Sequence, residues 1–365
     1  MTRFATDEVC QIHGISHASI TKGDRLSFTI NGREIGYHCK PYLIAECADA
    51  HMGSLDMAKA MAKAAWQSGA NAVKFQHHLP DEEMLPGGPT ADNLPGEGLY
   101  QWLKDHALTL DEHKKLAAYC AELGITYLCT PFSWAAAQEI EPLVPAFKIG
   151  SGEAQDFPTL ERIAKFGKPM IVSTGMCTQE EVSEIYRFVY ARCQDLVLMH
   201  CTSEYPPDDE DLNVHRVRYM ADRLSCYVGY SCHSPSITAA VAAAALGACV
   251  IEKHFTLSHH VDGPDSKVSI DEKLLWELSD HLLAFPTIMG NVKRVNDLEA
   301  PVRMWAYRSL VITRDMRAGE IITPDHIWSK RPGTGIPAKR MAEFIGMSVR
   351  HDVPANTMLT EDMLQ

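Results

Sequence analysis

Eight short apolar runs recur along the chain: Tyr42–Cys47, Asn71–Gln76, Thr126–Pro131, Ala146–Gly150, Pro169–Thr174, Leu196–Cys201, Ser225–Ser231 and Cys249–Phe255. Between and after them come amphipathic patterns at Leu55–Ser68, Leu110–Leu123, Trp134–Ile140, Phe157–Phe166, Gln179–Ala191, Asn213–Asp222, Ser236–Leu246 and Ile270–Ile288. Short runs rich in Val, Ile and aromatics that alternate with helical periodicity predict parallel strands in βα units. Eight such units predict an α/β fold, a (β/α)8 TIM barrel over residues 41–289, with its active site at the C-terminal ends of the strands. Ahead of it, residues 1–40 form an extension in which Asn31-Gly32 between apolar flanks signals a hairpin. That hairpin is placed to plug the N-terminal face of the barrel.

One connection, from His77 to about Leu108, is long and rich in Pro and Gly, and reads either as a lid or substrate wall or as a variable surface excursion. After Ile288 the βα rhythm stops. Residues 290–305 read as a linker. Residues 306–365 read as a small β-rich domain, with strands expected at Tyr307–Asp315, Ile321–Ile327, Lys330–Gly335 and Met347–Leu359.

Composition narrows the class. The chain of 365 residues is 46% hydrophobic and 22% charged, as in ordinary globular proteins. A formal net charge of −13 argues against a nucleic-acid or anionic-membrane surface. The eleven cysteines are scattered without a CxxC pair, which predicts reduced core thiols and a cytoplasmic protein. No signal-peptide layout or membrane-length apolar stretch is read.

Nearly every apolar run ends in a residue that can do chemistry. Lys148-Ile-Gly-Ser151-Gly-Glu153 sets a cation beside glycines and a hydroxyl, and Ser173-Thr174-Gly175 opens a donor-rich turn towards a helix N-terminus. Such turns let backbone amides approach a phosphate or carboxylate closely, although each alone also serves as a plain tight turn. With Lys74 on the second strand, the set favours an anionic substrate. His233 and His254 end neighbouring strands, and two neutral imidazoles suit a divalent metal at an open site; taken without context, two such histidines are more often satisfied polar residues. Glu46 is able to ligate that metal or act as acid or base. Asp265, after Gly263-Pro264, is suited to holding substrate hydroxyls or to a simple turn. His77-His78, His259-His260 and the remaining histidines read as solvated.

Together these motifs are similar to the sialic acid (N-acetylneuraminate) synthase family. The likeness rests on Ile44-Ala-Glu46, His51-Met-Gly53, Ala72-Val-Lys-Phe-Gln76, Thr130-Pro-Phe-Ser133, Phe147-Lys-Ile-Gly-Ser-Gly-Glu153, Ser173-Thr-Gly-Met176, His200-Cys-Thr-Ser-Glu-Tyr-Pro206, Gly229-Tyr-Ser-Cys-His233 and Ile251-Glu-Lys-His-Phe-Thr256, in that order. The tail resembles the family's antifreeze-like (SAF) domain at Arg308-Ser-Leu-Val311, Ala318-Gly-Glu320 and Lys330-Arg-Pro-Gly-Thr-Gly335. The resemblance implies condensation of phosphoenolpyruvate with an N-acyl hexosamine aldehyde to a nine-carbon 2-keto sugar acid. It implies a divalent metal, Mn²⁺ first and Mg²⁺ or Co²⁺ as alternatives, on His233 and His254. It implies phosphoenolpyruvate contacts at Lys74, Thr130, Lys148, Ser151, Ser173, Ser203 and Ser231, and sugar contacts at Gln76, Glu153, Tyr205, Asp265 and Arg331. Glu46, Lys74 and Glu153 are the catalytic candidates. Arg331 matches a residue that the family sends into a partner subunit, which implies a domain-exchanged homodimer.

Two positions depart from the family pattern. Ala50 stands where Asn usually precedes the histidine, and Cys232 stands where Asp usually precedes His233. Loss of that carboxylate bears on metal preference and on the orientation of His233. A Cys232 thiol in the metal site is disfavoured, because strand neighbours point to opposite faces. Two other functions are kept open: a non-catalytic sugar-binding homologue, and a metal aldolase that uses pyruvate.

Overall fold

A computed structural model describes residues 27–86, 98–258, 265–290 and 292–365. The chain divides into two units, Met1–Asn291 and Val292–Gln365.

In the first unit, strands β1 (Phe28–Ile30) and β2 (Arg33–Ile35) form the expected antiparallel hairpin. Asn31 (φ 48°) and Gly32 (φ 76°) are both left-handed, as a two-residue primed turn demands. Eight parallel strands follow: β3 (Tyr42–Ala48), β4 (Ala72–His77), β5 (Thr126–Pro131), β6 (Phe147–Ile149), β7 (Met170–Ser173), β8 (Leu196–Cys201), β9 (Tyr227–Cys232) and β10 (Val250–His254). Ladder pairing runs β5-β4-β3-β10-β9-β8-β7-β6, so the first and last barrel strands β3 and β10 are joined. The barrel is nearly closed. At its one seam β5 and β6 lie side by side without ladder bonds. All eight predicted helices form, although the last three start later, at His215, Thr238 and Glu272.

Period-two alternation sorts each strand into two faces. Leu43, Ala45, Val73, Phe75, Ile251 and Phe255 pack outward under the helices. Ile44, Ala72, Leu128, Ile171, Val197 and Val250 point inward near the N-terminal end, where Phe28, Ile30 and Ile35 of the hairpin join them. The hairpin therefore plugs that end, and Asn31 Nδ2 donates to Thr126 Oγ1 at 3.2 Å.

Two sequence expectations need correction, and the long connection gains detail. The long connection after β4 contains helices Pro80–Glu83 and Leu99–His106; residues 87–97 lie outside the described residues. The linker reading of 290–305 misses helix Glu299–Ala306. Its start is fixed by Asn296, whose side chain accepts from the Leu298 and Glu299 amides while Glu299 Oε2 accepts from the Asn296 amide. In the C-terminal unit only β11 (Ser309–Ile312) and β12 (Ile327–Lys330) form a ladder. The strands expected at Ile321–Ile327 and Met347–Leu359 become single bridges such as Ile321–Ser348 and Met316–Val353. Leu310, Ile312, Ile322, Ile327, Val349 and Leu359 supply this unit's own core. No helix among the described residues is long and apolar enough to cross a membrane.

Candidate active site

The same inward face that is apolar below turns charged at the strands' C-terminal ends. Glu46, Lys74, Lys148 and Glu252 follow Ile44, Ala72, Ala146 and Val250 by two residues, and all four are at least 96% buried. Lys74 Nζ lies 2.7 Å from Glu46 Oε2 and 3.8 Å from Glu252 Oε1, and Lys148 Nζ lies 3.4 Å from Glu252 Oε1. Hydroxyls complete the network: Lys74 donates to Thr130 Oγ1 and Lys148 to Ser173 Oγ, both at 2.8 Å, and Ser231 donates to Glu252 Oε1 at 3.2 Å.

Burial sets the proton affinities. It pushes the Glu46 carboxyl up to about 7, with Lys74 offsetting part of the effect. Burial also pushes Glu252 up, but Lys148 and Lys74 outweigh it and hold that carboxyl below its usual range. Lys74 is raised, because Glu252 and Glu46 overcome its desolvation, whereas burial holds Lys148 below an ordinary lysine.

Around these charges opens a cavity of about 410 Å³. Every candidate site residue of the barrel lines it: Glu46, Lys74, Gln76, Thr130, Lys148, Ser151, Glu153, Ser173, Ser203, Tyr205, Ser231, His233, His254 and Asp265. Ser151 Oγ accepts from the Gly175 amide at 3.0 Å. A Cβ at Gly175 would stand 2.1 Å from Ser203 Oγ and 2.8 Å from Ser151 Oγ, so only glycine allows this approach. Burial raises Glu153 and Asp265 to about 7 each, and Glu153 Oε2 has no hydrogen-bond partner among the described residues.

Arg331 belongs to the other unit. It lies exposed in the C-terminal unit, where its Nε donates to the Ala306 carbonyl at 3.2 Å and its guanidinium covers the Trp305 ring.

His233 and His254 face each other with ring centres 5.1 Å apart, and Tyr205 stacks on His233 at 4.2 Å. His233 Nδ1 donates to the Thr202 carbonyl at 2.8 Å, which fixes the proton there and makes Nε2 the ring's lone-pair nitrogen, with the Cys201 thiol as its neighbour. His254 Nδ1 is buried without a hydrogen-bond partner among the described residues, and Asp265 Oδ2 stands 3.6 Å away. Burial lowers His233 to about 4 and His254 further, so both rings are neutral at physiological pH. Two neutral imidazoles, one with an orphaned nitrogen, fit a divalent metal that keeps water or substrate as further ligands. Among the described residues the only three-ligand cluster within 4.8 Å lies elsewhere, at Glu34, His38 and Cys39. Cys232 packs in the outward core under the helices, so its thiol does not line the cavity; the thiol there is Cys201, 3.8 Å from His233 Nε2.

Sequence reasoning overlooked Glu252. The signal was available, since it sits two residues before His254 on the same face of a strand. It also misread five buried histidines, His51, His77, His78, His113 and His326, as solvated. His113 is buried against the Tyr127 hydroxyl at 2.7 Å, and His77 is buried with Nε2 2.7 Å from Glu139. His78 is buried between Asp49 (3.4 Å) and Glu83 (2.9 Å), and its Nε2 lies 3.0 Å from Gln76 Oε1. Burial disfavours its imidazolium, but Asp49 and Glu83 outweigh burial and raise it to about 10. Gln76 Nε2 in turn donates to Glu46 Oε1 at 3.1 Å, tying this second cluster to the first. His259, His260, Gly263 and Pro264 lie outside the described residues.

Comparison with known proteins finds relatives along most of the chain. An N,N'-diacetyllegionaminic acid synthase of Campylobacter jejuni is 33% identical over 88% of this chain and 99% of its own. A human N-acetylneuraminate-9-phosphate synthase is 29% identical over 91% of this chain and 95% of its own. The crystal structure of an N-acetylneuraminic acid (sialic acid) synthetase from Leptospira borgpetersenii superposes with a TM-score of 0.70 at 25% identity, covering 77% of this chain and 96% of that one. Residues 61–294 match the NeuB family and residues 307–365 match the SAF domain. The chain belongs to the NeuB family, the nonulosonic acid synthases, and carries a SAF domain after its barrel.

Proposed function

We propose that the protein condenses phosphoenolpyruvate with an N-acyl hexosamine aldehyde, giving a nine-carbon 2-keto sugar acid and phosphate. The observation that carries this reading is the meeting, in one cavity, of a Lys–Ser–Thr anion cradle with two neutral histidines. Lys74, Lys148 and the hydroxyls of Thr130, Ser151, Ser173, Ser203 and Ser231 hold the carboxylate and phosphate, so that the methylene carbon faces the aldehyde. A divalent metal, Mn²⁺ before Mg²⁺ or Co²⁺, held by His233 and His254, supplies Lewis-acid polarisation of the aldehyde oxygen. The methylene carbon forms the new C–C bond, water adds at carbon 2, and the C–O bond to phosphate breaks. Glu46, held near a pKa of about 7, is able to hold the water's proton or return it at neutral pH. Gln76, Glu153, Tyr205 and Asp265 face the sugar. Arg331 is assigned to the sugar of a second copy, in a domain-exchanged homodimer, and the protein works in the cytoplasm.

The test is phosphate release with product mass, using phosphoenolpyruvate, Mn²⁺ and a panel of 2-acetamido and 2,4-diacetamido hexoses. Release must require all three components and be lost in His233→Ala. No turnover on any acceptor sinks the proposal; turnover with pyruvate instead of phosphoenolpyruvate assigns an aldolase.

A further inference from the structure

One buried ring in the cavity wall has no step of its own in the condensation: His78, stacked on Phe132 at 4.3 Å. Its Nδ1 lies 2.9 Å from Glu83 Oε1 and 3.2 Å from Glu83 Oε2. Its Nε2 lies 3.0 Å from Gln76 Oε1 and 3.4 Å from Asp49 Oδ2. Each ring nitrogen therefore faces a carboxylate, and an ionised carboxylate can only accept. Burial pushes the Asp49 carboxyl up, but His78 outweighs it and, with His51, holds that carboxyl below its usual range. The ring satisfies both carboxylates with a hydrogen on each nitrogen, as an imidazolium.

The amide of Gln76 answers to that charge. A side-chain amide carries an acceptor and a donor group that exchange places on a half-turn. Gln76 sets its Oε1 to His78 and its Nε2 to Glu46 Oε1, at 3.1 Å. The half-turn would put the NH2 against the ring N–H, and a carbonyl against the Glu46 carboxyl oxygen. Both contacts would oppose like partners in a buried place, where an unmade hydrogen bond is costly. A ring with a bare Nε2 would welcome the turned NH2, so it is the ring's charge that fixes the amide.

We infer that His78 is a positioning residue: it locks the Gln76 amide so that the acceptor sugar meets Gln76 as a hydrogen-bond donor. The inference rests on the function proposed above and deepens it. Gln76 lines the cavity and gives one amide hydrogen to Glu46, which leaves the other for a ligand. The sugar group that meets it must present an oxygen lone pair, from a hydroxyl or an acyl carbonyl. Asp49 and Glu83 act at one remove, by keeping both hydrogens on the ring that orients Gln76.

The test reads the ring and the substrate separately. With the histidine nitrogens isotope-labelled, NMR is recorded at about pH 8.5, where an ordinary histidine is neutral and His78, raised to about 10, is not. A doubly protonated ring whose signal moves in Glu83→Gln is expected; absence of any such ring overturns the inference. For the acceptor that turns over best, His78→Phe keeps a ring against Phe132 but removes both donors. It should lower kcat/KM about tenfold through the acceptor's KM, with the KM for phosphoenolpyruvate unchanged. In a Gln76→Met background the same substitution should cost less than about twofold, since no amide is left to lock. Equal costs in the two backgrounds overturn the inference and leave His78 a structural ring. His78→Phe strands Asp49 and Glu83 without their cation, so its fold is checked by circular dichroism; should it not fold, the labelled wild-type ring decides. Absence of turnover on every acceptor rejects the condensation, and the nitrogen signals then uphold or overturn the lock by themselves.

Discussion

The two ends of the barrel are made from the same strands by the same alternation, yet they are opposite in character. At the N-terminal end Tyr42, Ile44, Ala72 and Val250 close on a hairpin in a dry apolar plug. Two residues further along, Glu46, Lys74 and Glu252 occupy the same inward face and form a buried ionic ring with Lys148. Geometry that only fills space at one end sets proton affinities at the other. Lys253 makes the contrast sharper. It is as buried as Lys74, but it faces outward and donates to the Cys232 and Val268 carbonyls, closing off backbone groups rather than meeting a substrate.

This contrast can be broken from either end. The largest effect is expected from Lys74→Met, which leaves Glu46 and Glu252 buried without their shared cation. Breaking a buried ion network this way costs about 3–5 kcal/mol, read by urea unfolding, and abolishes turnover. Glu46 already has a raised folded-state pKa, so its protonated form is favoured by folding as pH falls through that value. The loss should therefore be smaller at pH 5 than at pH 8. A loss under 1 kcal/mol at pH 8 means the ring is solvated.

Ile30→Ala in the plug should cost about 3 kcal/mol through cavity formation and leave KM for phosphoenolpyruvate unchanged. A shift in KM would mean that the two ends communicate. Next comes the pH profile: kcat/KM should climb about tenfold per pH unit below 7 and level above it as Glu46 ionises, and the residual activity of Glu46→Gln should lose that limb. An identical profile in the variant moves the ionisation to Glu153 or Asp265. The smallest change is Gly32→Ala, where no neighbour stands within 4 Å and only the left-handed φ is penalised, by about 1–2 kcal/mol in thermal or urea unfolding.

Much of this contrast was legible in the sequence. Strands stood out because an apolar run bounded by helical periodicity has few other readings, and Asn31-Gly32 specified its turn directly. Site residues at strand ends followed from the fold's geometry. His78 did not, because its role depends on Asp49, far along the chain, which only the folded barrel brings to it; Glu252 carried a signal in its spacing from His254, but its pairing with Lys148 exists only in the folded barrel. Glycine and proline around 86–98 disguised the helix at Leu99–His106, whose Trp102 and Leu103 are buried by tertiary packing. The bridges of the C-terminal unit are single pairs, too short to leave an alternating pattern.

The ionic ring at the mouth contains two lysines and two carboxylates, so its formal charges cancel. An anion drawn to this neutral set brings negative charge that these four groups together do not offset. The balance has to arrive with it, as a proton on a carboxylate or as a cation on the neighbouring histidines. Linkage then makes the two arrivals reciprocal: whatever factor the cation adds to the anion's affinity, the anion adds to the cation's.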